Sequence, residues 1–343
     1  LLGIATTIAV LLMGLAIADY QEQQDLRERV DRFAVLAESV DVLVPTGRLS
    51  LEEVLPFEIE MRRYRQVDAL SRVAKDYGIE VPSGILSKDR FMSFRDKVLA
   101  QDLLIEKRLG IEVSIIPAGY FMMGCTAEQG NDCDSDESSP KKVNIETSFY
   151  MMQTEVTQGL YEEMMNAVPS YFGDCGDTCP VENVSWYDAV HFANELSEKS
   201  GLDTCYVIRN DPYKGLPAVR WSTNPSECLG WRLPTEAEFE YAMRGGKTNT
   251  MYPWGNQKLS ENIGLGNFLQ GDFPYTNTGE DGFKNIAPVR QFPPNNYGLY
   301  DISGNVWEWT SDWYSPLYYT ELAEKGGVAA DPKGPEKSKE IYN

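Results

Sequence analysis

From Trp231 to Tyr314 the chain reads WRLPTEAEFEYAMRGG, then YPWG, NTGEDGF and PPNNYGLYDISGNVWEWTSDWY, a stretch dominated by Gly, Asn, Asp and Trp. Such a composition builds few long helices or strands, because Gly and Asn favour turns and left-handed backbone. Order in this stretch is therefore expected from turns, buried aromatic side chains and bound cations.

With 343 residues, 42% of them hydrophobic and 11% aromatic, there is material for two domains and a sizeable core. Asp plus Glu number 52 against 31 Lys plus Arg, a net charge of -21. That balance repels nucleic acid and anionic membrane surfaces, so no nucleic acid partner is expected. It suits cationic peptides or metal ions, and it also serves plain solubility.

Residues 1–18, LLGIATTIAVLLMGLAIA, carry no charge. They read as a signal peptide or a membrane anchor. Ala16-Ile17-Ala18 fits a small-x-small cleavage site, and the length also permits a spanning helix. Either way the remainder is expected to be exported: periplasmic, envelope-attached or extracellular. The cysteines agree, being even in number and confined to Cys125, Cys133, Cys175, Cys179, Cys205 and Cys228. In an exported chain they read as disulfides. Many connectivities are open, the simplest being three local pairs, Cys125 with Cys133, Cys175 with Cys179 and Cys205 with Cys228. Zinc is disfavoured, since no CxxC occurs and His191 is the single histidine.

Residues 19–110 read as a helical region or stalk. Leu26, Val30, Phe33, Leu36 and Val40 recur at three and four to form one apolar stripe. Ser50 with Glu53 makes a capping box, Ser87 is a second cap, and Gly110 ends the last helix. The domain at 111–343 has a different texture. IEVSIIPAGYFMMG and ETSFYMMQTEVT are strand candidates. SWYDAVHFANELSEKSG is a helix capped by Ser185 and followed by Gly201. Thr235 and Glu238 form a capping box opening a short helix closed by Gly245-Gly246. The class is α+β.

Glu236 and Glu240 lie four apart on that short helix and offer a paired-acid reading. A structural reading competes: Glu238 is used by the cap, and Glu236 favours the helix dipole. Two later segments resemble oxygen-rich cation sites. In one, Asn267 and Asp281 offer side-chain oxygens while turns at Gly279 and Gly282 let carbonyls face inward. In the other, Asp301 and Glu308 flank a Gly-Asn turn. Calcium takes six to eight such oxygens; the same residues are also ordinary turn formers.

The segments IPAGYFMMG, EVT, PVENVSWYDA, WRLPTEAEFEYAMRGG, YPWG, NTGEDGF, APV and PPNNYGLYDISGNVWEWTSDWY follow one another from Ile115 onward. In this order they resemble the formylglycine-generating enzyme family, also called sulfatase-modifying factors. The resemblance implies a formylglycine-generating-enzyme-like (C-type-lectin-like) fold with little regular secondary structure and two structural calcium ions. One ion would be held by Asn267, the Phe268 carbonyl, Asp281 and the Phe283 carbonyl. The other would be held by Asp301, the carbonyls of Gly304 and Val306, and Glu308.

The resemblance also implies an activity. Members oxidise a cysteine in a Cys-x-Pro-x-Arg motif of a sulfatase to formylglycine, using oxygen and copper held by two thiolates. In the family those thiolates follow the WEWTSDWY segment in a Gly-Gly-Ser stretch. This chain stops at KGPEKSKEIYN and opens without Met, which reads as a fragment truncated at its C-terminus, with the catalytic cysteines beyond its end. No catalytic residue is assigned. The alternative is a non-catalytic envelope binding or scaffold module on the same calcium-stabilised fold. An iron-dependent sulfoxide synthase, which needs several histidines, is disfavoured by the single His191.

Overall fold

The computed structural model describes residues 111–336 apart from 131–132, 138, 201, 210–216, 223–224, 226–227, 259–262 and 273. N-terminal to these it describes 42–50, 79–82 and individual positions from 23 to 110. The apolar segment 1–18, the stripe residues Phe33, Leu36 and Val40, and Gly201 lie outside the described residues. No described helix is long and apolar enough to cross a membrane.

Two compact units divide the chain, Leu1–Leu103 and Leu104–Asn343. In the first, Leu26 and Val30 are buried with Ala37, Leu49, Val54, Phe57 and Met61, so the described part of the stripe packs a small core. Ser50 opens the following turn: its backbone N–H and its Oγ donate to the Glu53 carboxylate at 3.1 and 2.8 Å.

In the second unit, β-branched and aromatic runs form strands. IEVSIIPAGYFMMG yields β1 (Val113–Ile116) and β2 (Gly119–Met123). They are followed by β3 (Lys141–Ile145) and β4 (Phe149–Met152). β1 pairs antiparallel with β4, and β2 pairs antiparallel with β3. A hairpin of β5 (Tyr206–Arg209) and β6 (Ala218–Trp221) stands apart, and the short β7 (Ala329–Ala330) joins β3 in parallel.

Among the described residues of this unit the α-helices are α1 (Gln158–Met165), α2 (Trp186–Lys199), α3 (Glu236–Arg244) and α4 (Tyr318–Glu324). Ser185 with Asp188 and Thr235 with Glu238 form full capping boxes, and Gly245 ends α3 at φ 56°. The fold is α+β, with small sheets and long loops.

Ile116, Phe121 and Met123 pack with Val143 and Ile145, with Ala237, Tyr241 and Ala242 of α3, and with Leu299. A large side chain fully buried in this way stabilises by about 1.5–3 kcal/mol. Leu299 thereby fixes the loop entering the DISGNVWEW segment. Asn295 secures the same loop from the other side, its Nδ2 donating to the Ala242 and Met243 carbonyls at 2.8 and 3.1 Å. Ala242 also accepts from the Gly245 N–H at 3.1 Å, so Asn295 adds a second bond at the end of α3, where carbonyls lack intrahelical partners.

The cysteines form the three local pairs, Cys125–Cys133, Cys175–Cys179 and Cys205–Cys228, and none is free. Three disulfides belong to an oxidising compartment. His191 is exposed on α2, a plain helix-face residue.

Candidate metal centre

The loops around Asn267 and Asn305 are held together by a side-chain and backbone network. Asn267 is buried, and its Nδ2 donates to the Asn285 carbonyl at 2.7 Å and to Asn305 Oδ1 at 2.9 Å. That commits the amide nitrogen and leaves Oδ1 on the opposite side, where no donor reaches it among the described residues. Asp281 is positioned by the turn it sits in: it accepts from the backbone N–H of Phe268 at 3.1 Å and of Phe283 at 2.9 Å. The structure therefore brings Asn267, Phe268, Asp281 and Phe283 together.

The second group lies on the 301–308 segment. Asp301 is buried at φ 55° and accepts from the Arg290 backbone N–H at 2.7 Å. Burial raises its carboxyl above the ordinary range, opposed by Arg290. Glu308 keeps exposed surface as a residue. Its carboxyl is nonetheless crowded by protein, and this desolvation, with Asp301's charge added, also pushes it up. Among the described residues no donor reaches the Glu308 carboxylate, nor the carbonyls of Phe268, Phe283, Gly304 and Val306.

Two side chains that sequence reasoning did not single out complete the arrangement. Glu155 is buried, and burial, followed by the charges of Glu308 and Asp301, pushes its carboxyl up to about 9. It accepts from Asn305 Nδ2 at 2.9 Å and from the Val306 N–H at 3.4 Å. Asn305, at φ 58°, also accepts from the Ala287 N–H at 2.8 Å and donates back to the Ala287 carbonyl at 3.1 Å. The sequence signal for Glu155 was faint: one glutamate among apolar and β-branched neighbours.

Around Asp301 and Glu308, mutually repelling carboxylates with carbonyls that lack donors form a donor set that a hard oxygen-seeking cation would satisfy; at the other place Asn267 Oδ1, Asp281 and two such carbonyls supply the oxygens. Calcium fits the residues present at both places. Among the described residues no three His, Cys, Asp or Glu side chains converge to hold one ion. A cation here would thus depend on backbone carbonyls for much of its coordination.

The acids of α3 have a different role. Glu240 is buried and pairs with Arg244, Nη2 to Oε1 at 2.6 Å, while accepting from the Gly124 N–H at 2.9 Å. Burial pushes this carboxyl up, opposed by Arg244 and Gly124. Glu240 therefore bolts the end of β2 to α3, a structural use of one of the two acids.

Residues 105–340 match the family model described as a sulfatase-modifying factor enzyme 1-like domain. The chain belongs to this family. Among sulfatase-modifying factor relatives, the formylglycine-generating enzyme of Bos taurus is 37% identical over 246 residues, 66% of this chain and 62% of that protein. The chain thus spans about three fifths of that relative's length. The inactive C-alpha-formylglycine-generating enzyme 2 of Mus musculus is 50% identical over 101 residues, 29% of this chain and 32% of that protein. Among solved structures, variable protein 1 of Treponema denticola superposes with a TM-score of 0.52 at 29% identity, covering 66% of this chain and 80% of that one. The family fold is the fold described above.

Proposed function

We propose that this chain is the calcium-supported body of an exported formylglycine-generating oxidase, acting on a cysteine in a Cys-x-Pro-x-Arg motif of sulfatases. The observation that carries the reading is the likeness, over 246 residues, to the bovine enzyme of that name. A net charge of -21 suits an arginine-bearing substrate segment. Trp307, Trp309, Trp313 and Tyr314, all exposed and all from one short segment, offer a face on which a peptide can stack.

Calcium would be held by Asn267, Asp281 and the carbonyls of Phe268 and Phe283 at one place. Asp301, Glu308 and the carbonyls of Gly304 and Val306 would hold it at the other. Its part is structural: an ion that binds only the folded state stabilises it by mass action. Copper does not fit the residues present. It prefers thiolates, and all six cysteines are in disulfides. The oxidase reading therefore requires a thiolate pair from outside these 343 residues, and no chemical step is assigned to groups within them.

A second reading, a non-catalytic envelope binding or scaffold module, draws on the likeness, 50% identical over 101 residues, to the inactive C-alpha-formylglycine-generating enzyme 2 of Mus musculus. One assay separates the two. A Cys-x-Pro-x-Arg peptide is incubated with the natural full-length protein, copper(I), a reductant and air, and weighed by mass spectrometry. Conversion of the thiol to the aldehyde removes about 18 Da, a change resting on thiolate chemistry at the metal. An unchanged peptide mass at every copper loading supports the binding module.

A further inference from the structure

The two candidate calcium places are not independent in the network. The segment whose carbonyls belong to one of them, Gly304 to Val306, contains the residue that orients a side chain of the other. Asn305 donates its backbone N–H to the Asn267 carbonyl at 2.9 Å. Its side-chain Oδ1 accepts from Asn267 Nδ2 at 2.9 Å, which is one of the two bonds turning Asn267 Oδ1 the other way. The opposite end of the same amide donates to Glu155 Oε2 at 2.9 Å, and Glu155 in turn accepts from the Val306 N–H.

Ala287 grips the amide from both sides, accepting from Nδ2 and donating to Oδ1. The amide plane is therefore fixed, and a 180° flip would set donors against donors. The loops also touch at the backbone. A Cβ on Gly304 would lie 2.5 Å from the Asn267 carbonyl oxygen and 3.0 Å from the Phe268 ring, and Gly304 sits at φ +103°. Buried networks of this kind have few alternative arrangements, so a shift at one end is passed on to the other.

From this geometry we infer that Asn305 and Glu155 are positioning residues that join the two calcium places into one cooperative pair. The inference rests on the calcium reading above. An ion that pulls on the Gly304 and Val306 carbonyls moves Asn305, which holds the Asn267 backbone through one bond and helps set the direction of its Oδ1 at the other place through a second. Binding at either place then pre-forms the other, and linkage requires the two effects to be equal.

The test is a calcium titration of the chelator-stripped full chain by isothermal calorimetry, with calcium chloride as the probe. Wild type is expected to bind two ions on an isotherm steeper than that of independent sites. Asp281→Asn removes a donor from one place and should weaken the remaining ion roughly tenfold; Glu308→Gln should weaken the other ion by the same factor. Asn305→Gly accepts the φ of 58° and removes the amide that bonds Asn267, Ala287 and Glu155, and should bring the isotherm to the independent form. Circular dichroism establishes that each variant is folded; if either ligand variant fails to fold, the wild-type steepness decides alone. Two ions bound independently, or an unchanged affinity in Asp281→Asn, overturns the coupling and leaves the calcium reading standing. No calcium bound by wild type overturns both.

Discussion

Arg232 grips Glu238 through two parallel bonds, Nη1 to Oε2 at 2.6 Å and Nη2 to Oε1 at 2.7 Å, with both side chains largely buried. The same carboxylate closes the cap of α3, accepting from the Thr235 N–H at 2.9 Å. Burial pushes Glu238 up, but the Arg232 charge together with the hydrogen bonds from Arg232 and Thr235 outweighs it and holds the carboxyl below its ordinary range. Arg232→Ala would strand a buried carboxylate at a helix start and is expected to cost about 3–5 kcal/mol. Urea unfolding measures this, and a loss under about 1 kcal/mol, the range of an exposed pair, contradicts it.

Asp312 gives the opposite pH sign. It accepts from the Glu236 N–H at 3.0 Å. Burial, opposed by that hydrogen bond and reinforced by the Glu236 charge, pushes it from 3.8 up to about 7. Between those values the folded state holds a proton that the unfolded chain has released, so stability falls as pH rises through the window. Asp312→Asn should flatten that part of the stability–pH curve, measured by melts from pH 4 to pH 8 (about the span between the two values). An unaltered slope removes Asp312 as its source. Glu238 acts the other way, contributing stability above its unfolded value that is lost as pH falls through its lower folded one.

Gly304→Ala combines a left-handed φ with a Cβ driven into the Asn267 carbonyl. The expected loss is about 2–4 kcal/mol, read as a lowered urea midpoint. A wild-type midpoint would show that the two loops separate without cost.

Trp307 is fully exposed, so Trp307→Ala should leave the melting temperature within about 1 °C of wild type, as surface substitutions do. It should weaken binding of an arginine-bearing peptide several-fold, read by fluorescence titration. Equal affinity for both proteins would place the peptide elsewhere.

Much of this arrangement was legible in the sequence because local chemistry dictated it. Thr235 with Glu238, and Ser185 with Asp188, form their caps from neighbours three residues apart, and the cysteine pairs close short loops. What remained hidden is long-range. Lys141–Ile145 pairs in parallel with a two-residue strand near residue 330, a contact no periodicity announces. Glu155 and Asn305 meet across 150 positions. Their roles depend on which loops the Leu299 and Asn295 anchors bring together. Glu236 and Glu240 looked paired by spacing, yet Arg244 and Gly124 claim Glu240.

The measurement that bears hardest on the proposal of structural calcium is a thermal melt of the full chain with calcium added, repeated in excess EGTA and again after calcium is restored. Two ions bound well above their dissociation constants contribute several kcal/mol, so the chelator should lower the melting temperature on the order of 10 °C. Restored calcium should return it. A melt unchanged by EGTA would contradict structural calcium at Asn267–Phe283 and at Asp301–Glu308 alike.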